Sequence, residues 1–188
     1  MKFVTIDNGY YCDFLGKCNM EVEILYPNEP PARLYNKILN RNEGLVCFIH
    51  ADTTCGGLEE AINDTIKKFG FHGSLGVVGA GSVWAHSKID LVSPTCDSCL
   101  IVVDADREER FDEEFDGYHL YVEDYCMQVG GARLIQIDAR EGTGQLFYDG
   151  RYFVHHSQTL RRRGCAWGDY GKYKLKLNKK WKKIVSTT

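Results

Sequence analysis

The feature that most constrains the fold is a short, wholly apolar run at residues 44–50, which ends in polar residues. Such a run is typical of a strand that is buried on both faces of a parallel sheet. In the next segment, residues 58–69, the apolar side chains recur at helical spacing. A buried strand followed by an amphipathic helix predicts an α/β sheet with helices packed on it.

The same alternation continues along the chain. We predict further strands at residues 2–6, 21–26, 75–81, 99–103, 133–137 and 152–155. We predict further helices at residues 31–39, 120–129 and 172–185. Ligands of α/β sheets bind beyond the carboxyl ends of the strands, and Asp7, Asn28 and Asp52 follow three such ends.

The composition is that of one ordinary globular domain. The chain has 188 residues, of which 44% are apolar and 26% are charged, and no second domain boundary is evident. The sequence has no run of about 18 apolar residues and no apolar leader, so we expect neither a membrane span nor a signal peptide. Several of the eight cysteines lie inside apolar runs, from which we expect reduced thiols in a cytoplasmic protein.

The charge is unevenly distributed. Residues 161–183 hold 10 Lys or Arg and one acid, whereas residues 1–160 hold 13 basic and 25 acidic side chains. A basic tail, residues 160–188, is typical of a protein that binds an anionic partner such as nucleic acid. It is equally typical of a solvated helix end, and the sequence alone leaves both interpretations open.

The first candidate for chemistry is the His50-Ala51-Asp52 segment, which directly follows the apolar run. A carboxylate in that place can hold a divalent cation, Mn²⁺ or Mg²⁺, which would offset charge on a departing diphosphate. The carboxylate of Asp52 can also cap the following turn, and the residues alone favour this structural interpretation.

The second candidate is the stretch at residues 110–126, which is crowded with acidic and aromatic side chains. Aromatic surroundings raise the pKa of a carboxyl group by desolvation and can thereby create a general base. Glu123 and Asp124 lie near the start of a predicted helix, where the helix dipole also favours acids. Both interpretations stay open.

Three further patterns carry little weight. His155 and His156 are adjacent on a predicted strand, so only one of them can face a site. Cys96 and Cys99 form a single Cys-x-x-Cys pair, which is a weak zinc signal without a second pair. The glycines of residues 76–81 do not match the dinucleotide-binding fingerprint, because no helical period follows them.

Taken together, these segments resemble the glycosyltransferase family 2-like proteins of the GT-A fold, and within them the streptomycin-biosynthesis-like or capsular-type transferases of bacteria and viruses. The most specific likeness is at residues 111–126, which resemble the family signature of Phe-Asp-Glu, aromatic-His-x-Tyr, Asp and Cys. The other similar segments, in family order, are the Tyr-Asn helix at 32–39, the strand ending in His-x-Asp (a form of the DxD motif) at 45–52, the Gly-Val-x-Gly strand at 75–81, the His-x-Ser at 155–157 and the Lys-Trp at 180–181.

The resemblance implies one GT-A-like domain over residues 1–188, with a mixed, mostly parallel central sheet flanked by helices. It implies an inverting transfer of a sugar from a nucleotide-diphosphate donor to an acceptor hydroxyl, assisted by Mn²⁺ or Mg²⁺. The roles it implies are donor binding by Asp7, Asn28, Arg33 and Asn36, acceptor positioning by Asp97, cation binding by Asp52 and His156, and proton removal by Asp124, with Glu123 beside it.

The sequence departs from the family pattern in places. Position 50 is His, which leaves a single carboxylate in the metal motif, and Gln128 lies where the family often has arginine. Two alternatives therefore stand beside the enzyme: a degenerate domain that binds a nucleotide or glycan without turnover, and a nucleic-acid-associated protein that uses the basic tail. The acceptor is a glycan, a protein or a modified nucleobase, and the sequence does not choose among them.

Overall fold

The structure, a computed structural model, describes residues 1–77, 92–117, 120–141, 151–156 and 167–182. The strands in these residues are β1 (Lys2–Ile6), β2 (Val22–Leu25), β3 (Leu45–Ile49), β4 (Thr53–Gly56), β5 (Ser74–Gly76), β6 (Val92–Ser93), β7 (Leu100–Asp104), β8 (Ala132–Leu134), β9 (Asp138–Glu141) and β10 (Tyr152–His155). The α-helices are α1 (Pro31–Leu39), α2 (Leu58–Phe69), α3 (Tyr121–Gln128) and α4 (Trp167–Trp181), and a 3-10 turn spans Leu15–Lys17.

Local signals explain the two best-predicted helices, α1 and α2, whose observed bounds match the predicted ones. Pro31 opens α1, where its missing N–H is no loss because the first turn has no intrahelical acceptor. Acids lie in the first turn of α2 and lysines in its last, as the helix dipole favours. The helix stops at Gly70, whose φ of 78° few other residues adopt readily.

The main sheet has seven strands in the order β2-β1-β3-β7-β5-β8-β6. The pairings β1–β2, β1–β3 and β5–β8 are parallel, whereas β7 is antiparallel to both of its neighbours and β6 is antiparallel to β8. Five of the seven strands therefore share one direction. This arrangement confirms the predicted mixed, mostly parallel α/β sheet.

Strand β3 shows where the sequence pattern misled. Its apolar run predicts a strand inside a parallel sheet, but β3 is parallel to β1 on one side and antiparallel to β7 on the other, with Cys47 opposite Val102. The apolar run indicates that both faces of the strand are buried, and both faces of β3 are buried. It does not indicate the direction of the neighbouring strands.

Both faces of the main sheet are covered. On one face, side chains such as Val4 and Phe48 pack under α1, α3 and α4. On the other face, Phe3 and Cys47 pack under α2 and under a second, three-stranded sheet in the order β4-β10-β9. Strands β4 and β9 were not predicted, and β4 begins one residue after Asp52, which places that residue between the two sheets.

Element ends account for the remaining differences. Strand β8 stops at Leu134, three residues short of its predicted end, and α4 starts at Trp167, five residues before its predicted start. Strand β5 begins at Ser74, and residues 78–81 of its predicted length lie outside the described residues, as do residues 183–185 of the last helix. Among the described helices, none combines the length and the apolar character needed to cross a bilayer.

Candidate metal and donor site

The turn at residues 50–53 carries the chain from the main sheet to the second sheet. The backbone N–H of His50 donates to the carbonyl of Cys99 (3.0 Å), which ties the turn to the residue before β7. The hydroxyl of Thr53 donates back to the carbonyl of His50 (2.8 Å) and closes the turn. His50 and Asp52 are therefore held at the carboxyl edge of β3, where ligands of α/β sheets bind.

Three side chains meet at this turn. Asp52 Oδ1 lies 3.4 Å from His155 Nε2 and 3.9 Å from His50 Nδ1, and one ligand atom from each of the three side chains lies within 4.8 Å of the others. His155 reaches this place because β10 pairs with β4 in a register that sets it opposite Thr53. We call His50, Asp52 and His155 the HDH triad.

The triad has the electrostatics of a cation site. The Asp52 side chain is only 7% exposed, and its Oδ1 makes no hydrogen bond of normal geometry within the described parts of the chain. Burial raises the pKa of the Asp52 carboxyl, but the interactions with His155 and with His50 outweigh burial and bring that pKa below its ordinary value. Asp52 is therefore an ionised, buried carboxylate with an oxygen left over for a ligand.

The structure places the imidazole of His155 beside the Asp52 carboxylate (3.4 Å), whereas His156 binds Asp52 through the backbone, its N–H donating to the Asp52 carbonyl (2.8 Å). The His156 Nε2 atom instead lies 2.9 Å from Thr54 Oγ1, and its ring stacks on Phe14 at 4.5 Å between centroids. Burial and the nearby His155 lower the pKa of His156 below its ordinary value. Asp52 does not cap α2, because that helix begins after Gly57, five residues beyond Asp52, and the interpretation that Asp52 caps the following turn stays a prediction.

Asp97 lies next to the triad along the same edge. Its carboxylate accepts the backbone N–H of Cys99 (2.8 Å), the residue whose carbonyl binds the N–H of His50. Its own backbone N–H donates to the carbonyl of Val77 (2.9 Å), which joins it to the end of β5. Asp97 is thus tied to the edge of the sheet that carries the triad, and its role in positioning the acceptor, which the resemblance implies, stays a prediction.

Glu123, in the first turn of α3, interacts electrostatically with Asp97. Burial and the charge of Asp97 raise the pKa of the Glu123 carboxyl to about 8. Its Oε2 atom is buried and has no hydrogen-bond partner among the described residues. Burial therefore raises the pKa of one carboxyl group of this stretch, that of Glu123, and its use as a general base stays a prediction.

Asp124, the adjacent acid, points into a different environment. Its side chain has no exposed surface. Both carboxylate oxygens are occupied: Oδ1 accepts from Trp181 Nε1 (2.8 Å), and Oδ2 accepts from Lys180 Nζ (2.9 Å) and Gln128 Nε2 (2.8 Å). Asp124 therefore anchors α4 to α3, and its hydrogen-bond partners among the described residues include no residue of the triad.

Arg33 and Asn36 bind within the chain. The Asn36 side chain donates to the carbonyl of Phe111 (2.9 Å) and accepts the N–H of the same residue (2.9 Å), so it holds that backbone segment in place. Arg33 is exposed, and its Nε donates to Glu113 (3.1 Å). Arg33 remains open to a donor molecule, whereas the Asn36 amide is occupied.

Asp7 and Asn28 follow the ends of β1 and β2, the two strands beside β3. The Asp7 carboxylate accepts the N–H of Gly9 (2.8 Å), and Asn28 is exposed in the loop before α1. Both lie on the edge of the sheet that carries the triad, since β1, β2 and β3 run in the same direction.

The acidic stretch and the basic tail turn out to be partners. Ion pairs join three acids of residues 112–116 to three lysines of α4: Asp112 to Lys180 (2.8 Å), Glu114 to Lys176 (2.7 Å) and Asp116 to Lys172 (3.6 Å). The aromatic side chains between the acids, Phe111 and Phe115, are core residues, so they do not surround the carboxylates. Half of the six lysines in residues 167–182 are thus paired within the chain. The tail arginines at 161–163 lie outside the described residues.

Among the residues that the structure describes, Cys96 and Cys99 do not belong to a cluster of metal ligands. Cys96 and Cys99 belong to the cores on opposite faces of the main sheet. The Cys96 Sγ atom lies 3.5 Å from Cys126 Sγ, and the seven described cysteines are free thiols. The dismissed glycine motif continues into residues 78–81, outside the described parts.

Two solved structures of S. aureus TarS are similar to this chain. The crystal structure of TarS 1-349 matches with a TM-score of 0.54 and 13% identity over 84% of this chain and 61% of that one. A second TarS crystal structure matches with a TM-score of 0.50 and 13% identity over 85% of this chain and 37% of that one. This chain thus spans less than two thirds of either.

No protein-family model matches the sequence, and no curated protein matches it significantly. At 13% identity, the likeness to TarS is evidence for the fold alone. Together with the mixed sheet and its flanking helices, it establishes the predicted GT-A-like α/β fold.

Proposed function

We propose that the chain is a cation-dependent, inverting glycosyltransferase that moves a sugar from a nucleotide-diphosphate donor to an acceptor hydroxyl. The observation that carries the proposal is the buried Oδ1 of Asp52 at the carboxyl edge of a glycosyltransferase-like fold. This oxygen makes no hydrogen bond of normal geometry among the described residues, and it lies 3.4 and 3.9 Å from two imidazole nitrogens. A buried carboxylate oxygen without a partner is costly unless a ligand completes it.

The HDH triad fits a divalent first-row metal ion. One carboxylate suits Mn²⁺ or Mg²⁺, whereas two imidazoles shift the preference toward transition metals, so Mn²⁺ is favoured over Mg²⁺. A cation held there supplies positive charge against the diphosphate leaving group. The missing second carboxylate of the motif is thereby replaced by His155, which arrives from a distant strand.

The donor would lie across the ends of β2, β1 and β3, which are neighbours in the sheet. Asp7 and Asn28 are the candidates for contacts with the base and ribose, because they follow the first two of these ends. Arg33 is a candidate for a donor phosphate, since its exposed guanidinium already binds a carboxylate, Glu113.

For the proton acceptor, Glu123 fits better than its neighbour Asp124. A general base needs a carboxylate that can reach the acceptor hydroxyl. The oxygens of Asp124 are occupied by three donors, whereas Oε2 of Glu123 has no described partner and the residue interacts with Asp97. We assign proton removal to Glu123 and a positioning role to Asp124, through α3.

The first experiment is a thermal shift assay with UDP, GDP, CMP and dTDP, each with and without Mn²⁺. A nucleotide at 100 times its dissociation constant stabilises the folded chain by about 2.7 kcal/mol. We expect one diphosphate to stabilise the chain only when Mn²⁺ is present. Asp52→Asn and His155→Ala should abolish this shift, and His72→Ala, a partly exposed histidine beside Gly130, should preserve it.

A shift that survives both triad substitutions would refute the metal site. Once the nucleotide is known, release of that nucleotide from its sugar conjugates measures turnover. Glu123→Gln should keep the Mn²⁺-dependent thermal shift and lose nucleotide release. Nucleotide release by the wild type should rise as the pH rises toward about 8.

Metal-dependent binding of a nucleotide without any release would instead favour the degenerate binding module. The nucleic-acid alternative has less support, because half of the described tail lysines pair with acids of the chain.

A further inference from the structure

A second cluster of reactive side chains lies in a cavity of about 1110 Å³ between the starts of β1, β2 and α2. Four sulfur-bearing residues line it: Met1, Cys18, Met20 and Cys55. The backbone N–H of Cys55 donates to Cys18 Sγ (3.1 Å), and Cys55 Sγ lies 3.6 Å from Met20 Sδ. The Cys18 sulfur is therefore held at the backbone of Cys55, although the two cysteines are separated by 37 residues in sequence.

The two thiols differ in the way that a nucleophile and its resolving partner differ. Cys18 is half-buried and accessible from the cavity, whereas Cys55 is buried in β4. The hydrogen bond from the Cys55 thiol lowers the pKa of Cys18 to about 7, although burial opposes this shift. The same hydrogen bond and burial raise the pKa of Cys55 well above its ordinary value. Cys18 is thus the thiolate of the pair and Cys55 the thiol.

We propose that Cys18 and Cys55 are a redox-active pair that a peroxide converts into a disulfide. The Cys18 thiolate attacks one oxygen of hydrogen peroxide, the O–O bond breaks, and a sulfenic acid forms while the departing hydroxide takes up a proton to become water. The Cys55 sulfur then attacks the sulfenic sulfur, the S–O bond breaks, and the departing hydroxide leaves with the Cys55 proton as a second water. The two sulfurs lose two electrons in total, and the peroxide oxygens gain them.

The disulfide would connect the 3-10 turn at Leu15–Lys17 with β4. Cys18 directly follows that turn, and Cys55 lies three residues after Asp52. A cross-link between residues 37 apart restricts the unfolded chain, so the oxidised protein should melt at a higher temperature than the reduced one.

The test is brief treatment of the full chain with a small excess of hydrogen peroxide, followed by alkylation of the remaining thiols and peptide mapping by mass spectrometry. We expect a peptide pair joined through Cys18 and Cys55, its reversal by dithiothreitol, and a melting temperature raised only before reversal. Cys18→Ser and Cys55→Ser should each abolish the cross-link, and Cys12→Ser, which removes an exposed thiol, should leave it intact.

A second measurement needs no variant: in the untreated wild type, limiting iodoacetamide should alkylate Cys18 faster than the exposed Cys12. Three results would overturn the proposal. The first is oxidation of Cys18 to the sulfinic acid while Cys55 remains a thiol. The second is alkylation of Cys12 and Cys18 by iodoacetamide at equal rates. The third is protection of Cys18 and Cys55 from alkylation by Cu(I), without any peroxide-dependent cross-link. The last would indicate a soft-metal site that includes Met20.

Discussion

Replacing Asp124 by asparagine tests whether this residue anchors α4. The substitution keeps the shape of the side chain and removes its charge. Three donors lose a carboxylate partner: Lys180 Nζ and Gln128 Nε2 at Oδ2, and Trp181 Nε1 at Oδ1. The asparagine amide still offers one oxygen that can accept a hydrogen bond. Its NH₂ group, however, can only donate, so the N–H donors that face it lose their acceptor.

The expected loss in unfolding free energy follows from these contacts. Removing one partner of a buried ion pair costs about 3–5 kcal/mol. Lys180 is 34% exposed and keeps its ion pair with Asp112, which places the effect at the lower end of that range. We therefore expect Asp124→Asn to destabilise the fold by about 3 kcal/mol, from the buried-pair range above.

Urea unfolding followed by tryptophan fluorescence measures this loss. The matched control is Asp116→Asn, whose carboxylate also binds α4, through Lys172 and Tyr173, but is 59% exposed. An exposed ion pair contributes less than about 1 kcal/mol, and we expect that upper limit for the control. Equal losses for Asp124→Asn and Asp116→Asn, or a loss below about 1 kcal/mol for both, would refute the anchoring role.

Three further substitutions test particular contacts. Burial and a neighbouring carboxylate raise the pKa of Glu123 from 4.5 to about 8, so the folded state keeps a proton that the unfolded state releases. The unfolding free energy should fall by up to about 1.4 kcal/mol per pH unit between those two pKa values, and Glu123→Gln should remove that part of the slope in urea titrations from pH 5 to 8. Gly73→Ala should lower the melting temperature more than Gly70→Ala. Both glycines have a positive φ, so alanine is strained at either position. A Cβ atom at Gly73 would in addition lie 2.4 Å from a backbone carbonyl oxygen, whereas a Cβ atom at Gly70 would meet open space. Asn36→Ala should cost about 2–3 kcal/mol in urea unfolding, because a buried N–H and C=O lose their partner, and Arg33→Ala should cost less than about 1 kcal/mol.

Elements specified by local signals were predictable, and those specified by distant partners were not. The periodicity and end residues of α1 and α2 lie within each helix, and the apolar run of β3 lies within the strand. Strand β4, in contrast, has the short sequence Thr-Thr-Cys-Gly, and its partner is β10, about a hundred residues later. Its strand conformation depends on that pairing, which no local pattern reports.

The same distinction applies to the two acids of α3. Sequence reasoning placed Glu123 and Asp124 at a helix start, and both are there. Successive residues of a helix point about 100° apart, so one of the two had to face away from the other. Asp124 is the acid that faces Lys180 and Trp181, and this depends on where α4 docks. The dipeptide alone therefore did not reveal which acid is the anchor.

The choice between His155 and His156 has a physical basis in apolar packing. Phe153 and His155 lie on the same face of β10, since side chains alternate along a strand. Phe153 is fully buried in the core between the two sheets, opposite Cys55, and this register places His155 opposite Thr53, beside Asp52. A slip of one residue would bring His156 to the triad, but it would also expose the Phe153 ring and bury a polar face. The register that sets the geometry of the candidate cation site is therefore held by Phe153, which is not itself one of the three proposed metal ligands. Phe153→Ala should weaken Mn²⁺ binding as well as the fold.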